Sequence, residues 1–199
     1  MSQPAPAAKP VVVLASGSRY RRELLGRLLP VFEVDPPAVD ESALPGESPD
    51  ALATRLARLK ARHTAGRWPG RLVIGSDQVA ACAGRILGKP GTAAAARAQL
   101  GHCAGHPLVL HTAVALLRPD GSLLEHLDHS SLQFRALEAG EIARYVERDQ
   151  PVDCAGAFRF ESLGIALFSQ VDTRDPTAIQ GLPLLWLAAA LRDSGLALI

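Results

Sequence analysis

Residues 11 to 29, VVVLASGSRYRRELLGRLL, constrain the fold more than any other stretch. Three valines open an apolar run that ends at Ala15, as suits a strand buried on both faces. Ser16, Gly17 and Ser18 break it, and Leu24, Leu25, Leu28 and Leu29 then recur at helical spacing. A buried strand, a small-residue turn and a helix start also make a place for an anion. The free N–H groups of the first helical turn and the helix dipole both favour negative charge. Gly17 lets backbone approach a ligand closely. Arg21 and Arg22 offer forked donors for phosphate oxygens. A capped surface helix with solvated arginines accounts for Ser18 equally well, so this stretch alone leaves both readings open.

The rest of the chain continues the alternation. Phe32 to Asp35 reads as a short strand, followed by a Pro/Gly-rich loop, DPPAVDESALPGESPD, carrying several carboxylates. Ser48-Pro49 opens a helix with a hydroxyl cap and a first-turn proline. Leu52, Leu56 and Leu59 line its expected buried face, with Lys60 one residue off that stripe. Arg71 to Cys82 is a second apolar strand interrupted by polar residues, and AGRILGKPGT returns from it like a hairpin. Thr92 to Leu100 is Ala-rich and helical. The alternating segment from His106 to Phe134 contains Pro-Asp-Gly and predicts a long β-hairpin. Glu138 to Arg148 reads as a helix, GIALFSQVD as a strand, and Leu184 to Leu191 as the last helix. Mixed strands and helices without an internal linker predict a single α/β domain with a partly antiparallel sheet.

Composition excludes several function classes. The net charge of +1 gives no extended basic track for nucleic acid and no field toward a membrane. No run approaches the ~18 apolar residues of a membrane span. The opening MSQPAPAAKP lacks the basic-then-apolar pattern of a signal peptide and reads as a frayed tail over residues 1–9. Cys82, Cys103 and Cys154 lack paired spacing, which fits reduced thiols in the cytoplasm. The six histidines are scattered without metal-ligand spacing.

What remains points to phosphate. Asp77 falls inside an apolar strand, where an unpaired charge is costly. Such a group binds a cation, pairs, or faces a cleft at a strand end. Lys89 stands in a rigid Gly-Lys-Pro turn, and Asp40 and Glu41 follow a rigid Pro-Pro. Donors at Arg21, Arg22, Lys60 and Lys89, with hard oxygen ligands at Glu41 and Asp77, suit a magnesium-assisted attack on a polyphosphate. No phosphate-binding glycine loop of the GxxxxGK or GxGxxG kind is present.

The segments LASGSRYRRELL, VDES, GSDQVA, LGKP, YVERDQPVDCAGAF and RDPTAIQGLPL occur in this order over nearly the whole chain. Together they resemble the Maf family of nucleotide pyrophosphatases. The resemblance implies an elongated α/β fold related to the inosine triphosphate pyrophosphatases: a mixed sheet, flanking helices and two lobes around a cleft. It implies one catalytic domain over residues 10–199. The implied reaction is hydrolysis of a nucleoside triphosphate to the monophosphate and diphosphate with Mg²⁺ or Mn²⁺. The family's proton-accepting residue falls on Asp77, its early Ser and Arg on Ser16 and Arg21, and its loop glutamate on Glu41. Its two phosphate-side lysines fall on Lys60 and Lys89. Glu41 and Asp77 are the implied metal ligands.

Three family specificity positions fall on Tyr20, Gln78 and Glu161. The branch acting on dTTP and UTP typically has Arg, Thr and Gln there, and the branch acting on 7-methyl-GTP has Trp, Gln and Glu. The set Tyr, Gln and Glu resembles the second. Methylation at N7 makes guanine cationic, so an aromatic face attracts it. A carboxylate accepts from guanine N1–H and N2–H, a donor pair that thymine and uracil lack. Arg19 stands where the family usually has Pro, and Ser162 where this branch often has Gly. The expected protein is a cytoplasmic house-cleaning hydrolase with a nucleoside triphosphate as its partner, independent of nucleic acid and membrane, and a homodimer by family resemblance. Rival readings are a dTTP/UTP pyrophosphatase, a non-enzymatic nucleotide-binding regulator of septum formation, and an RNA cap-binding module.

Overall fold

The computed structural model describes residues 11–199, so the expected tail over 1–9 lies outside the described residues. Its centre is a seven-stranded mixed sheet in the order β2-β1-β3-β5-β6-β7, with β4 paired to the far end of β3. The strands are β1 (Val12–Ala15), β2 (Glu33–Val34), β3 (Leu72–Cys82), β4 (Arg85–Leu87), β5 (Pro107–Leu117), β6 (Leu123–Phe134) and β7 (Phe168–Thr173). The helices are α1 (Arg19–Gly26), α2 (Pro49–Ala65), α3 (Ala93–Cys103), α4 (Ala139–Asp149) and α5 (Leu184–Asp193). β1 runs parallel to β2 and β3, and every other pairing is antiparallel. The β5–β6 hairpin pairs Pro107 with Gln133 and Leu117 with Leu123 in unbroken register.

β1 is buried along its whole length, as its continuous apolar run requires. β3 and β5 are long enough to pass through two cores. At one end of the sheet Leu14, Leu24, Leu25 and Ile74 pack with Leu182, Leu187 and Leu191 of the C-terminal segment. At the other, Leu100, Leu108, Leu132, Phe134, Tyr145 and Phe168 pack together with α3 and α4. These cores mark the two expected lobes; the cleft takes Leu87, Phe158 and Ile179 from the second core, and Ala15, Leu52, Leu56 and Val79 from the packing of β1, β3 and α2. Among the described residues, no helix is long and apolar enough to cross a membrane.

Two local expectations are corrected. The buried stripe of α2 is Leu52, Ala53, Leu56, Ala57, Lys60, Ala61 and Thr64, while Leu59 is 36% exposed. The stripe follows the small residues, because alanines let the helix settle close to the sheet. The strand expected over GIALFSQVD begins only at Phe168, since Leu163–Leu167 forms 3₁₀ turns. Gly164 makes that turn possible: an added Cβ would lie 2.2 Å from the Arg159 carbonyl oxygen.

Candidate active site

The cleft has a volume of about 950 Å³. β3 supplies its floor, and its two faces do different jobs. Gly75, Asp77 and Val79 face α2, whereas Ser76 and Gln78 face the turn before α5. At Gly75 an added Cβ would lie 2.2 Å from the Ala57 carbonyl oxygen and 2.6 Å from the Ala61 nitrogen. Only hydrogen fits there, so α2 rests directly on the strand. That close approach brings the Lys60 ammonium 2.7 Å from Asp77 Oδ1. The same Nζ lies 2.8 Å from Glu41 Oε1. Lys60 and Asp77 are buried, while Glu41 remains largely exposed. Two carboxylates therefore converge on one ammonium, whose third N–H is left to point at a ligand. The second oxygens of Glu41 and Asp77 have no protein hydrogen-bond partner among the described residues.

The opposite face of β3 holds the segment from Asp175 to Leu185. Ser76 Oγ donates to the carbonyls of Gly181 and Ala113, both at 2.9 Å. Gln78 Nε2 donates to Ala178 O, Ile179 O and Thr112 Oγ1 at 2.8, 3.1 and 2.9 Å. Those three acceptors fix the amide orientation and turn its carbonyl oxygen away from them. Asp175, buried, accepts from Thr177 N and Oγ1 through one oxygen and from Leu185 N through the other. It thereby caps the start of α5 and shapes the turn. Gly181 closes that turn at φ +102°, a conformation L side chains rarely adopt. Its carbonyl receives Arg21 Nε at 2.8 Å. Arg21 Nη1 in turn donates to Ser16 Oγ at 3.2 Å, and that same oxygen accepts from Ser18 N. Burial lowers the Arg21 pKa from its ordinary value, with the negative charges of Asp77 and Glu41 opposing the shift. The Ser18 cap of α1 is present as well, accepting from Arg21 N at 3.4 Å. The capped-helix reading of this turn is thus borne out, and the same turn brings Ser16 and Arg21 to the cleft.

The other end of the cleft is looser. Tyr20 is half-buried and lines it. Arg19 Nη2 donates to the Tyr20 hydroxyl at 2.6 Å, and its guanidinium carbon lies 4.7 Å from the Tyr20 ring centroid. Arg19, anomalous as a replacement for Pro, therefore spends its charge on its neighbour. Burial pushes the Tyr20 phenol above its ordinary pKa, and Arg19 counters this. Glu161 is exposed on the cleft wall and has no ion-pair or hydrogen-bond partner among the described residues, and the same holds for Lys89. Ser162, the second departure, donates to Asp149 Oδ1 at 2.6 Å. Asp149 also accepts from Tyr145, whose oxygen receives Arg159 N. That chain of bonds ties the Glu161 loop to α4.

All nine expected site residues line this one cleft: Ser16, Tyr20, Arg21, Glu41, Lys60, Asp77, Gln78, Lys89 and Glu161. Arg22 does not; it is exposed outside the lining. Sequence reasoning missed Ser76, Thr112 and Asp175, buried polar residues that build the Arg21 and Gln78 supports. Their one signal was polarity inside apolar or turn segments. The reading of the histidines is also corrected. His111 and His129 face each other across the β5–β6 hairpin, and Asp50 of α2 joins them. Spacing along the chain cannot show a pairing that the hairpin register creates.

An open mixed sheet, two lobes and a cleft bearing a carboxylate pair among Lys and Arg donors define a class of α/β proteins. The Staphylococcus aureus Ham1 protein shares this fold, with a TM-score of 0.51 at 16% identity over 92% of this chain and 98% of that one. The chain belongs to the Maf family: the family model described as Maf-like protein matches residues 11–194. A relative from Xanthomonas campestris pv. campestris (strain 8004), 52% identical over 95% of this chain and 98% of its own length, is named 7-methyl-GTP pyrophosphatase. A relative from Aromatoleum aromaticum carries the same name at 49% identity, over 94% of this chain and 97% of its own.

Proposed function

We propose that this chain hydrolyses 7-methyl-GTP to 7-methyl-GMP and diphosphate, and that residues 10–199 form one catalytic domain. The observation that carries the reading is the Lys60-bridged pair of Asp77 and Glu41 beside Arg21, in a cleft whose far end holds an aromatic ring and a free carboxylate. The relatives' names support the choice of nucleotide.

In this reading the triphosphate lies along the Ser16–Arg21 turn. Asp77 accepts a proton from the water that attacks the α-phosphorus. A bond forms from the water oxygen to that phosphorus, and the bond from the phosphorus to the bridging oxygen breaks. Arg21, Lys60 and Lys89 meet the charge that gathers on the departing diphosphate. Arg21 is already aimed by Gly181 and Ser16, so little reorganisation is left for the reaction itself. The donor set fits a divalent cation, because Glu41 and Asp77 each keep a carboxylate oxygen free of protein bonds and both are hard oxygen ligands. Mg²⁺ or Mn²⁺ held there would supply charge neutralisation and alignment of the phosphate chain. At the base end Tyr20 offers a face to the cationic purine, and Glu161 accepts its N1–H and N2–H. Gln78, its amide nitrogen fully engaged, presents an acceptor. A cytoplasmic homodimer that clears modified nucleotides completes the reading.

The test is diphosphate release from 7-methyl-GTP, GTP, dTTP and UTP with Mg²⁺ or Mn²⁺, for the wild type and Asp77→Ala. Preference for 7-methyl-GTP and its loss in the variant are expected. Turnover of dTTP alone would overturn the substrate, and full activity in Asp77→Ala would overturn the role of that residue.

A further inference from the structure

On the α2-facing side of the β5–β6 hairpin, three side chains outside the cleft lining converge. His111 and His129 are directly opposed in the register. Their rings meet edge to face with centroids 5.1 Å apart. Asp50, in the first turn of α2, reaches over both. Its Oδ1 lies 2.5 Å from His111 Nδ1 and 2.8 Å from His129 Nε2. The three donor atoms, one from each residue, lie within 4.8 Å of one another. The His111 side chain is 14% exposed, whereas His129 and Asp50 are about half open to solvent. Among the described residues no lysine or arginine pairs with Asp50, so the carboxylate answers only to the two imidazoles.

We propose that Asp50, His111 and His129 form a zinc site with its fourth position open to solvent. Two imidazole nitrogens and one carboxylate oxygen are the ligand types of zinc, and imidazole favours it over magnesium. Bonds of about 2.0–2.1 Å at tetrahedral angles put donors roughly 3.3 Å apart. The two nitrogen–oxygen distances therefore need to open by less than an ångström, which rotation of the exposed Asp50 side chain supplies. The hairpin register holds the two histidines opposite each other, and rotation of their rings brings ligating nitrogens that already lie within 4.8 Å to the same separation. The site differs in kind from the Glu41–Asp77 pair, whose donors are all oxygen. It also has a mechanical consequence. A metal here staples the first turn of α2 to two strands, and α2 is the helix that carries Lys60.

The experiment is equilibrium dialysis of the metal-stripped full chain against Zn²⁺, with excess Mg²⁺ to compete at the carboxylate pair, followed by metal counting and thermal melting. The expected result is one zinc per chain and a raised melting temperature. Both should persist in Asp77→Asn and vanish in the His111→Ala/His129→Ala double variant. Co²⁺ in place of Zn²⁺ should give visible absorption of the four-coordinate ion in the wild type alone of those two. Asp50→Asn, at an exposed position, keeps the imidazoles and the fold and should weaken zinc binding. No zinc retained by the wild type, or retention by Asp50→Asn and by the double variant equal to that of the wild type, overturns the proposal. Either result leaves the hydrolytic reading standing, because none of the three residues lines its cleft.

Discussion

The two ends of the cleft are built by different means. At the phosphate end two charged groups are held by other parts of the chain, Lys60 by Asp77 and Glu41 and Arg21 by Gly181 and Ser16, while Lys89 alone of the three has no side-chain partner among the described residues. Apart from the exposed Glu41 these supports are buried against the sheet, so the charges are oriented before any ligand arrives. At the base end the Tyr20 hydroxyl bonds to Arg19 and Cys154, while Glu161 has no hydrogen-bond or ion-pair partner among the described residues. Its walls are loops, anchored at a distance through Ser162 and Asp149. In the proposed reading the phosphates are handled from the rigid sheet, and, apart from Gln78 on β3, the base is chosen by side chains that can change without disturbing it.

Asp77→Asn tests the contrast between the two ends most severely. Loss of the proton acceptor should lower turnover by about 10²–10⁴-fold, and equally for every nucleotide tested. A loss that varied with the base would merge the two ends. Gly75→Ala comes next. Forcing a methyl against the Ala57 carbonyl should cost roughly 1–3 kcal/mol and lower the melting temperature by several degrees. A thermal melt unchanged from wild type would show that α2 need not sit so close. Glu161→Gln should then cost about tenfold in kcat/KM for 7-methyl-GTP, as a charged hydrogen-bond acceptor becomes neutral. The value for dTTP should stay put. Tyr20→Ala should cost about fivefold for 7-methyl-GTP and less for GTP, the scale of an exposed cation–aromatic contact. Equal losses on both would remove the stacking argument.

The smallest effect concerns the loop bearing Glu41. The Arg55 guanidinium, helped by the Leu44 N–H, holds the Glu47 carboxyl down at about 2, against 4.5 ordinarily. Arg55 also donates to the Ser42 carbonyl, so the pair ties the loop to α2. Because the folded value is depressed, this stabilisation is complete above pH 4.5 and disappears as pH falls toward 2. Melting temperatures of Glu47→Gln should therefore lie slightly below wild type near neutrality and converge with it in acid.

Much of this was legible along the chain. Apolar runs and hydroxyl caps marked β1, β3 and the start of α2, because burial and capping act on neighbouring residues. The site residues were legible through short motifs, each confined to one turn or strand. Other features were not. Leu59 and Lys60 exchange their expected places because α2 buries its alanine face on Gly75. The job of Arg19 depends on where the Tyr20 hydroxyl ends up.

Element order, the capped turn before α1 and the family were readable along the chain, since those depend on local pattern and residue type. Chain folding set Lys60 between Asp77 and Glu41, Gly181 behind Arg21, and Asp50 against His111 and His129. Each of these joins groups far apart in the chain, and hydrogen bonds and ion pairs act over distances in space that only strand register and helix docking can set.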